Sequence, residues 1–459
     1  MKLKKLFSVL TAMCICLSLF IFNIDSIAHA STFSLPFEVY SEGAYLVNLD
    51  TGDVLYSKNA DTKLVPASLT KLMTFLIILE DYTPDELRTK YATATSQSFD
   101  ELYMTGCSTA DIRIGESVSY IDLLYALILR SACEAANILA IDSYGSLQAF
   151  INRMNEKAAE LGMENTHFSN THGLFPEDNY TTPEDLSKLI IYGLENYSLF
   201  SEISYSDTYE MEETSYHSPR TISHTNYMMS PGNGGEYYYP YIKGIKTGTT
   251  DEAGRCLAST ASKDGYTYLL ITMNAPQKDN SGNNVYYNFV DHKNIYEWAF
   301  TNLEYTEIIN KNEEIASIPV AFADGVESVN LKTADGYSQI WNKTVEKTTA
   351  IQRIITKNED VIAPVKAGDV LGSLELRYSG TTLAVIDLVA VKDVERDTLV
   401  EQITIAKSFI GSKHFKTAIW ASIGFFVLYT TLFIVYVNLR NRKLRKRYKA
   451  STRNVSRRR

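Results

Sequence analysis

Ser68 and Lys71 stand three residues apart in Pro66-Ala67-Ser68-Leu69-Thr70-Lys71-Leu72-Met73-Thr74. Between Leu69 and Leu79 only Thr70, Lys71 and Thr74 are polar. A helix that is apolar on nearly every side is a buried helix. A lysine is almost never fully buried without a partner, and burial favours a neutral amine. One helical turn brings a hydroxyl at position i beside an amine at i+3. A hydroxyl beside a desolvated amine is a nucleophile supplied with its own base. The alternative is an N-capping Ser68 with Lys71 reaching outward to solvent.

Two further patterns weigh on that choice. Ser131-Ala132-Cys133 lies in a break between helical stretches. Its structural explanation is a capping box, since Ser131 and Glu134 form S-x-x-E. Lys246-Thr247-Gly248-Thr249 ends an apolar strand pattern. It offers a cation and hydroxyl donors to a carboxylate, and glycine admits close approach of a substrate backbone. Its structural explanation is a lysine guarding an exposed edge strand.

The elements that must position these residues can be read in outline. Ala44–Asp50 and Asp53–Ala60 read as two strands around Thr51-Gly52, a hairpin pattern. Helical patterns follow at Leu69–Leu79, Tyr120–Leu129, Glu134–Ser143, Leu147–Leu161 and from Thr182-Pro183 onward. Residues 196–240 are polar and rich in Tyr, and read as irregular surface with a mobile loop. Strands return at Ile242–Thr247, Arg255–Ser262 and Tyr266–Asn274, the last two joined by Asp264-Gly265. A helix over 284–303 closes the region. Helices in the middle with strands at both ends predict an α+β fold, an antiparallel sheet flanked by helices. Residues 304–405 carry short alternating runs and turns and read as a small all-β domain.

Length allows two or three domains in 459 residues. Lys2, Lys4 and Lys5 precede an apolar run to about Phe22, and Ala28-His29-Ala30 is a small-x-small site, so residues 1–30 read as a secretory signal peptide. Residues 418–437 hold no charge and match the length of a bilayer span. Trp420 and Tyr436 sit near its edges as interfacial aromatics do. A short linker, 406–417, precedes it. The tail 438–459 carries eleven Lys or Arg and no acid, which predicts a cytoplasmic tail and places residues 31–405 outside the cell. That outer part is acidic, which argues against nucleic-acid binding. Once Cys14 and Cys16 leave with the signal, Cys107, Cys133 and Cys256 remain. An odd number is no disulfide framework, though one pair could form.

Taken together and in order, S-x-x-K, S-x-C and K-T-G resemble the motif set of penicillin-binding proteins and β-lactamases. The likeness extends to Asp53-Val54-Leu55-Tyr56, Leu161-Gly162-Met163, Asn165-Thr166-His167-Phe168, His172-Gly173-Leu174, Thr182-Pro183-Glu184-Asp185-Leu186 and Gly244-Ile245-Lys246-Thr247-Gly248. Over about residues 38–300 the chain is similar to serine-type D-alanyl-D-alanine carboxypeptidases, the low-molecular-mass penicillin-binding proteins. Ala363-Pro364-Val365-Lys366-Ala367-Gly368 resembles that family's C-terminal β domain. The organisation implied is a catalytic domain over 31–303, a β domain over 304–405 and a single C-terminal transmembrane helix.

The resemblance implies a substrate ending in D-Ala-D-Ala, the stem peptide of peptidoglycan, and covalent capture by β-lactams. Ser68 is then the acyl-ester nucleophile, Lys71 the general base and Ser131 the proton relay. Cys133, Lys246, Thr247, Gly248 and Thr249 form the substrate-binding group, with the backbone N–H groups of Ser68 and Thr249 as the oxyanion hole. No cofactor and no metal is implied, and His167 and His172 are expected to be structural. The family usually has Asn where this chain has Cys133, and a thiol donates and accepts more weakly. That departure opens a second expectation, a site sensitive to oxidation or thiol reagents. The same motifs would serve a β-lactamase, a DD-endopeptidase or a wall-binding regulatory protein with a lapsed site.

Overall fold

The computed structural model describes the backbone of residues 33–175 and 177–455. The signal peptide expected over 1–30 lies outside the described residues. The chain forms two compact units. The first takes in the described residues through Ile309 with Tyr337–Ile354 and Leu376–Ala384, and the second holds Asn310–Gly336, Ile355–Glu375 and the residues from Val385 on.

The first unit is built on a five-stranded antiparallel sheet. Its strands are β1 (Gly43–Asn48) and β2 (Val54–Lys58) from the N-terminal hairpin. The short pairs β3 (Tyr91–Thr93) with β4 (Ser117–Ser119), and β5 (Thr208–Met211) with β6 (Arg220–Ser223), lie outside it. The C-terminal half of the sheet is β7 (Ile242–Thr250), β8 (Gly254–Lys263) and β9 (Tyr266–Ala275). The order across the sheet is β2-β1-β9-β8-β7, so the sheet's first and last strands in chain order pair at its centre, with Ala44 opposite Thr272. Asp264 and Gly265, the two residues joining β8 to β9, have φ of +53° and +87°. Two positive φ values make the I′-type turn that suits the strands' twist.

Helices surround the sheet at Lys71–Asp81, Tyr120–Leu129, Cys133–Tyr144, Leu147–Glu160, Pro183–Asn196 and Tyr287–Asn302. Capping chemistry sets several starts: Ser119 accepts from Asp122 N–H, Ser146 from Ala149 N–H, and Thr182 from Asp185 N–H with Pro183 following. Nine consecutive residues of the first helix, Lys71–Leu79, are buried. Its all-round apolar surface is spent inside one large core with Leu124, Leu127, Phe150, Leu189 and Phe200. A second core, on Leu46, Leu257, Leu270, Phe289 and Tyr296, joins the sheet to the Tyr287–Asn302 helix.

Residues 196–240 differ from the expected irregular surface. They hold a helix Ser198–Ser204, the β5–β6 hairpin and two 3₁₀ turns, Tyr227–Met229 and Gly235–Tyr237. Leu199, Phe200 and Ile203 are buried on one face of that short helix, while Met211, Ile222 and Met228 face inward singly. Elements this short give too few repeats for a period to stand out from sequence.

The strands β10 (Leu303–Ile309), β11 (Glu314–Pro319), β12 (Ser328–Thr333), β13 (Tyr337–Asn342), β14 (Gln352–Lys357), β15 (Val370–Tyr378) and β16 (Thr381–Ala390) follow. β10 pairs with β13, and the others form a sheet in the order β11-β12-β16-β15-β14. One four-residue helix, Lys347–Ala350, interrupts the all-β pattern. Residues 406–417, expected as a linker, fall within two helices, Thr398–Gly411 and Lys413–Val455. Over Lys413–Arg447 the second is long and apolar enough to cross a membrane, with a mean hydropathy of 2.0 over its most apolar window.

Phe75 is fully buried and its ring lies 5.0 Å from that of Phe200. Phe75→Ala is expected to destabilise the first unit by about 3–5 kcal/mol, measured as a lowered urea midpoint of the detergent-solubilised chain.

Candidate active site

Ser68 sits in a 3₁₀ turn, Ala67–Thr70, that runs directly into the Lys71–Asp81 helix. The tighter turn brings residues i and i+3 almost into eclipse. Lys71 Nζ donates to Ser68 Oγ at 2.9 Å. The same amine donates to the His172 carbonyl at 2.8 Å and to Cys133 Sγ at 3.4 Å. Lys71 is fully buried, so these three contacts hold the amine in place of water. Neither the capping role for Ser68 nor an outward Lys71 is what the chain does.

The backbone around the serine is held from two sides. A Cβ on Gly173 would stand 1.7 Å from the Ala67 carbonyl oxygen, and Gly173 has φ of +79°. Only glycine combines that backbone angle with that closeness. From the other side comes β7. A Cβ on Gly248 would lie 3.0 Å from the Pro66 oxygen and 3.2 Å from Ser68 N. The glycine of Lys246-Thr247-Gly248 thus lets the strand edge lie flush against the serine turn. The β7–β8 pairing shifts register between Lys243 and Lys246, and such irregularities re-aim side chains.

Lys246 is also fully buried, and its Nζ donates to its neighbour's carbonyl, Thr247 O, at 2.9 Å. Burial, and next the charge of Lys71, pushes its pKa well below the ordinary lysine range. His224 Nε2 lies 3.3 Å from Ile245 O while Nδ1 accepts from Asn226 N–H at 2.8 Å. Burial, reinforced by Lys246, pushes the His224 pKa down to about 3, which keeps a further charge out of this corner.

Ser131 follows the Tyr120–Leu129 helix in a left-handed conformation, φ +59°. The next helix is N-capped by Ala132 without a side-chain bond. Glu134 reaches instead to Ala110 N–H at 2.7 Å. The capping-box explanation of Ser131 therefore does not hold, and its hydroxyl is left for the cavity. Among the described residues, neither Lys71 nor Lys246 hydrogen-bonds that hydroxyl.

A cavity of about 200 Å³ gathers Ser68, Ser131, Thr247, Gly248 and Thr249. Lys71, Cys133 and Lys246 stand behind this wall, buried. The cavity has further lining that the sequence reading missed. Thr225 Oγ1 and Thr247 Oγ1 are 2.6 Å apart. Arg255, opposite Thr249 in the sheet register, stacks over Tyr286 with its guanidinium carbon 4.0 Å from the ring centre. Its Nε is buried without a hydrogen-bond partner. A cavity lined by hydroxyls and one unpaired guanidinium suits an anionic ligand. Register alone points to Arg255, and no local pattern marks it.

His167 Nδ1 lies 2.6 Å from the Asp178 carbonyl, and His172 is buried among its own partners. His172 Nδ1 accepts from Leu174 N–H at 3.1 Å, which leaves Nε2 to donate to Glu101 at 2.8 Å. Glu101 also accepts from Asn137 Nδ2 at 3.0 Å. The His172 bond, before all else, holds the Glu101 carboxyl below the usual range. Asn170 Oδ1 accepts from Gly173 N–H at 2.6 Å, closing the turn that delivers the His172 carbonyl to Lys71. Among the described residues no cluster of His, Cys, Asp and Glu could hold a metal ion.

Residues 29–277 match the D-alanyl-D-alanine carboxypeptidase family of peptidases (S11), and residues 303–396 match the C-terminal domain of penicillin-binding protein 5. The D-alanyl-D-alanine carboxypeptidase DacF of Bacillus subtilis is 27% identical over 78% of the chain and 86% of its own length. A D-alanyl-D-alanine endopeptidase of Escherichia coli is 30% identical over 60% of the chain and 81% of its own length. The crystal structure of DacD from Francisella tularensis superposes with a TM-score of 0.60 over 82% of the chain and 99% of its own, at 21% identity, a likeness of fold.

The buried Lys246 amine gives a pH-dependent stability with a definite sign. Its pKa is lower folded than unfolded, so the unfolded chain binds a proton that the folded chain refuses, and wild-type stability rises toward the ordinary lysine pKa. Lys246→Met is expected to raise the melting temperature at pH 7, with the gain shrinking at pH 10. Calorimetry at the two pH values checks this.

Proposed function

Because the chain belongs to the D-alanyl-D-alanine carboxypeptidase family, we propose that it removes the terminal D-Ala of peptidoglycan stem peptides through an acyl-enzyme on Ser68. The observation that carries the assignment is the buried Lys71 amine 2.9 Å from the Ser68 hydroxyl, at the wall of a cavity faced by Lys246-Thr247-Gly248.

Ser68 Oγ attacks the carbonyl of the penultimate D-Ala, and Lys71 takes its proton. The N–H groups of Ser68 and Thr249 receive the oxyanion; each such donor is typically worth about 100- to 1000-fold in rate. Ser131, across the cavity, passes a proton to the leaving D-Ala, and Lys246, whose proton is loosely held, supplies the field behind it. Thr247 and Thr249 hold the terminal carboxylate, and the unpaired Arg255 adds its charge on the same wall. Cys133 steadies Lys71 from below in place of the usual Asn. Water then hydrolyses the ester. β-Lactams, as mimics of the dipeptide, acylate the same serine.

The relative named as an endopeptidase favours one second reading, cleavage of cross-bridges by the same residues. Release of D-Ala from a pentapeptide without cutting of cross-linked dimers separates the carboxypeptidase from it. Rapid penicillin turnover would mark a β-lactamase. Penicillin binding without D-Ala release would mark a lapsed, regulatory site.

The helix Lys413–Arg447 supports a single C-terminal anchor, with the catalytic unit facing the wall and the basic tail in the cytoplasm. The preceding helix Thr398–Gly411 exposes Leu399, Ile403, Phe409 and Ile410. An apolar face of that kind binds membrane surfaces or aggregates.

Penicillin is expected to add one penicilloyl mass to the wild type and none to Ser68→Ala, read by intact-mass spectrometry. Labelling that persists in the variant would overturn the nucleophile. Deletion of 398–459 is expected to yield soluble, penicillin-binding protein, whereas deletion of 418–459 leaves the Thr398–Gly411 helix and partial membrane association, scored by sedimentation of the membrane fraction.

A further inference from the structure

The sequence drew attention to Cys133, but the structure pairs it with Cys107. The Cys133 N–H donates to the Ser108 carbonyl at 2.9 Å, which ties the 107–108 segment to the start of the Cys133–Tyr144 helix. That bond puts Cys107 beside Cys133, close enough for each thiol to shift the other's acidity. Both are free. Their surroundings differ sharply. Cys133 is buried against Lys71. Cys107 is partly exposed and lines a second cavity of about 270 Å³ with Phe99, Leu102, Ile112 and Glu134. Ser108, one residue on, lines the catalytic cavity. Residues 107 and 108 therefore separate two cavities, and the thiol pair spans the wall between them.

We propose that Cys107 is an oxidation site for a small hydroperoxide, with Cys133 as its resolving thiol, so that a Cys107–Cys133 disulfide replaces the Cys133–Lys71 hydrogen bond and slows acylation. The functional half of this rests on the reading of Ser68 and Lys71 given above.

The chemistry divides between the two sulfurs as their environments dictate. The neighbouring Cys133 thiol pushes the Cys107 thiol down to about 6, against partial burial; the Thr105 hydroxyl and Lys71 also lower it and Glu134 raises it. Cys107, with burial, pushes Cys133 up to about 12, against the charge of Lys71. Cys107 is thus the reachable thiolate at neutral pH, and Cys133 the proton donor beside it. The Cys107 thiolate attacks a peroxide oxygen, the O–O bond breaks, and hydroxide leaves, giving a sulfenic acid. Cys133 then loses its proton and attacks the sulfenic sulfur. The S–S bond forms and a second hydroxide departs as water. Two thiols give up two electrons, and one hydrogen peroxide becomes two waters.

The test uses the full-length chain in detergent, treated with hydrogen peroxide, blocked with N-ethylmaleimide and digested without reduction. A cross-linked Cys107–Cys133 peptide is expected. Penicillin acylation of Ser68 is expected to fall by at least about tenfold, the rate equivalent of one lost buried hydrogen bond, and to return with dithiothreitol. Cys107→Ser is expected to acylate normally and to resist peroxide. Alkylation of Cys107 by iodoacetamide is expected to be half-maximal near pH 6 in the wild type. In Cys133→Ala it should move toward about 8.5, the ordinary thiol value. Absence of the cross-linked peptide, a cross-link that leaves acylation unchanged, or peroxide inactivation that persists in Cys107→Ser would each overturn the proposal. The untreated enzyme is the separate control: if penicillin does not acylate it, the Ser68 reading fails, and the peptide map still decides whether the disulfide forms.

Discussion

An amine with no water around it must find its partners in the protein, and much of the first unit serves the one at Lys71. Its three contacts come from widely separated parts of the chain: Ser68 one turn back, Cys133 at the start of a later helix, and the carbonyl of His172 in a loop. Each partner is itself fixed. The His172 carbonyl depends on the Asn170 turn and the Glu101–Asn137 bonds. The Ser68 turn depends on two glycines, Gly173 and Gly248, against which a side chain would collide. Burying a polar group is costly unless its bonds are made, so a displaced partner would be felt at the amine directly. That constraint explains why polar side chains such as Asn137, Asn170 and His172 are buried without lining the cavity.

The two buried lysines divide the electrostatics of the site. Lys71 is bonded to a hydroxyl, a thiol and a carbonyl. Lys246 has one carbonyl and feels the charge of Lys71. The weaker solvation at Lys246 loosens its proton, and His224 stays neutral beside it. A site that moves a proton from a serine to a leaving amine gains from a nearby amine, Lys246, whose hold on its proton is weak. Such a pair is a burden to the fold, as active sites often are.

The thiol at position 133 fits the same logic. It bonds Lys71 at 3.4 Å, a length natural to sulfur, and it has Cys107 beside it. A residue that reads as a weakened copy of Asn in the chain is, in space, half of a thiol pair.

Much of this was open to sequence reading. Apolar periodicity located the Tyr120–Leu129 helix and the strands β7 to β9 to within a few residues, because period and turn residues are local properties. The run Leu69–Leu79 announced a buried helix, and the S-x-x-K spacing placed a hydroxyl and an amine on one turn, since three residues fix that distance whatever the rest does. What no local pattern could supply was the company these residues keep. Cys107 beside Cys133, Arg255 unpaired on the cavity wall, and the His172 carbonyl on Lys71 join segments tens of residues apart through sheet register and loop closure. Residues 196–240 differ from the reading because their elements are only three to seven residues long, too short for a period to show, and are held by tertiary packing. The chain by itself determined which groups could react, because spacing within one helical turn is covalent geometry. Only the folded structure decided which of them are desolvated, which are paired and which thiol faces solvent, because burial is a property of everything packed around a residue.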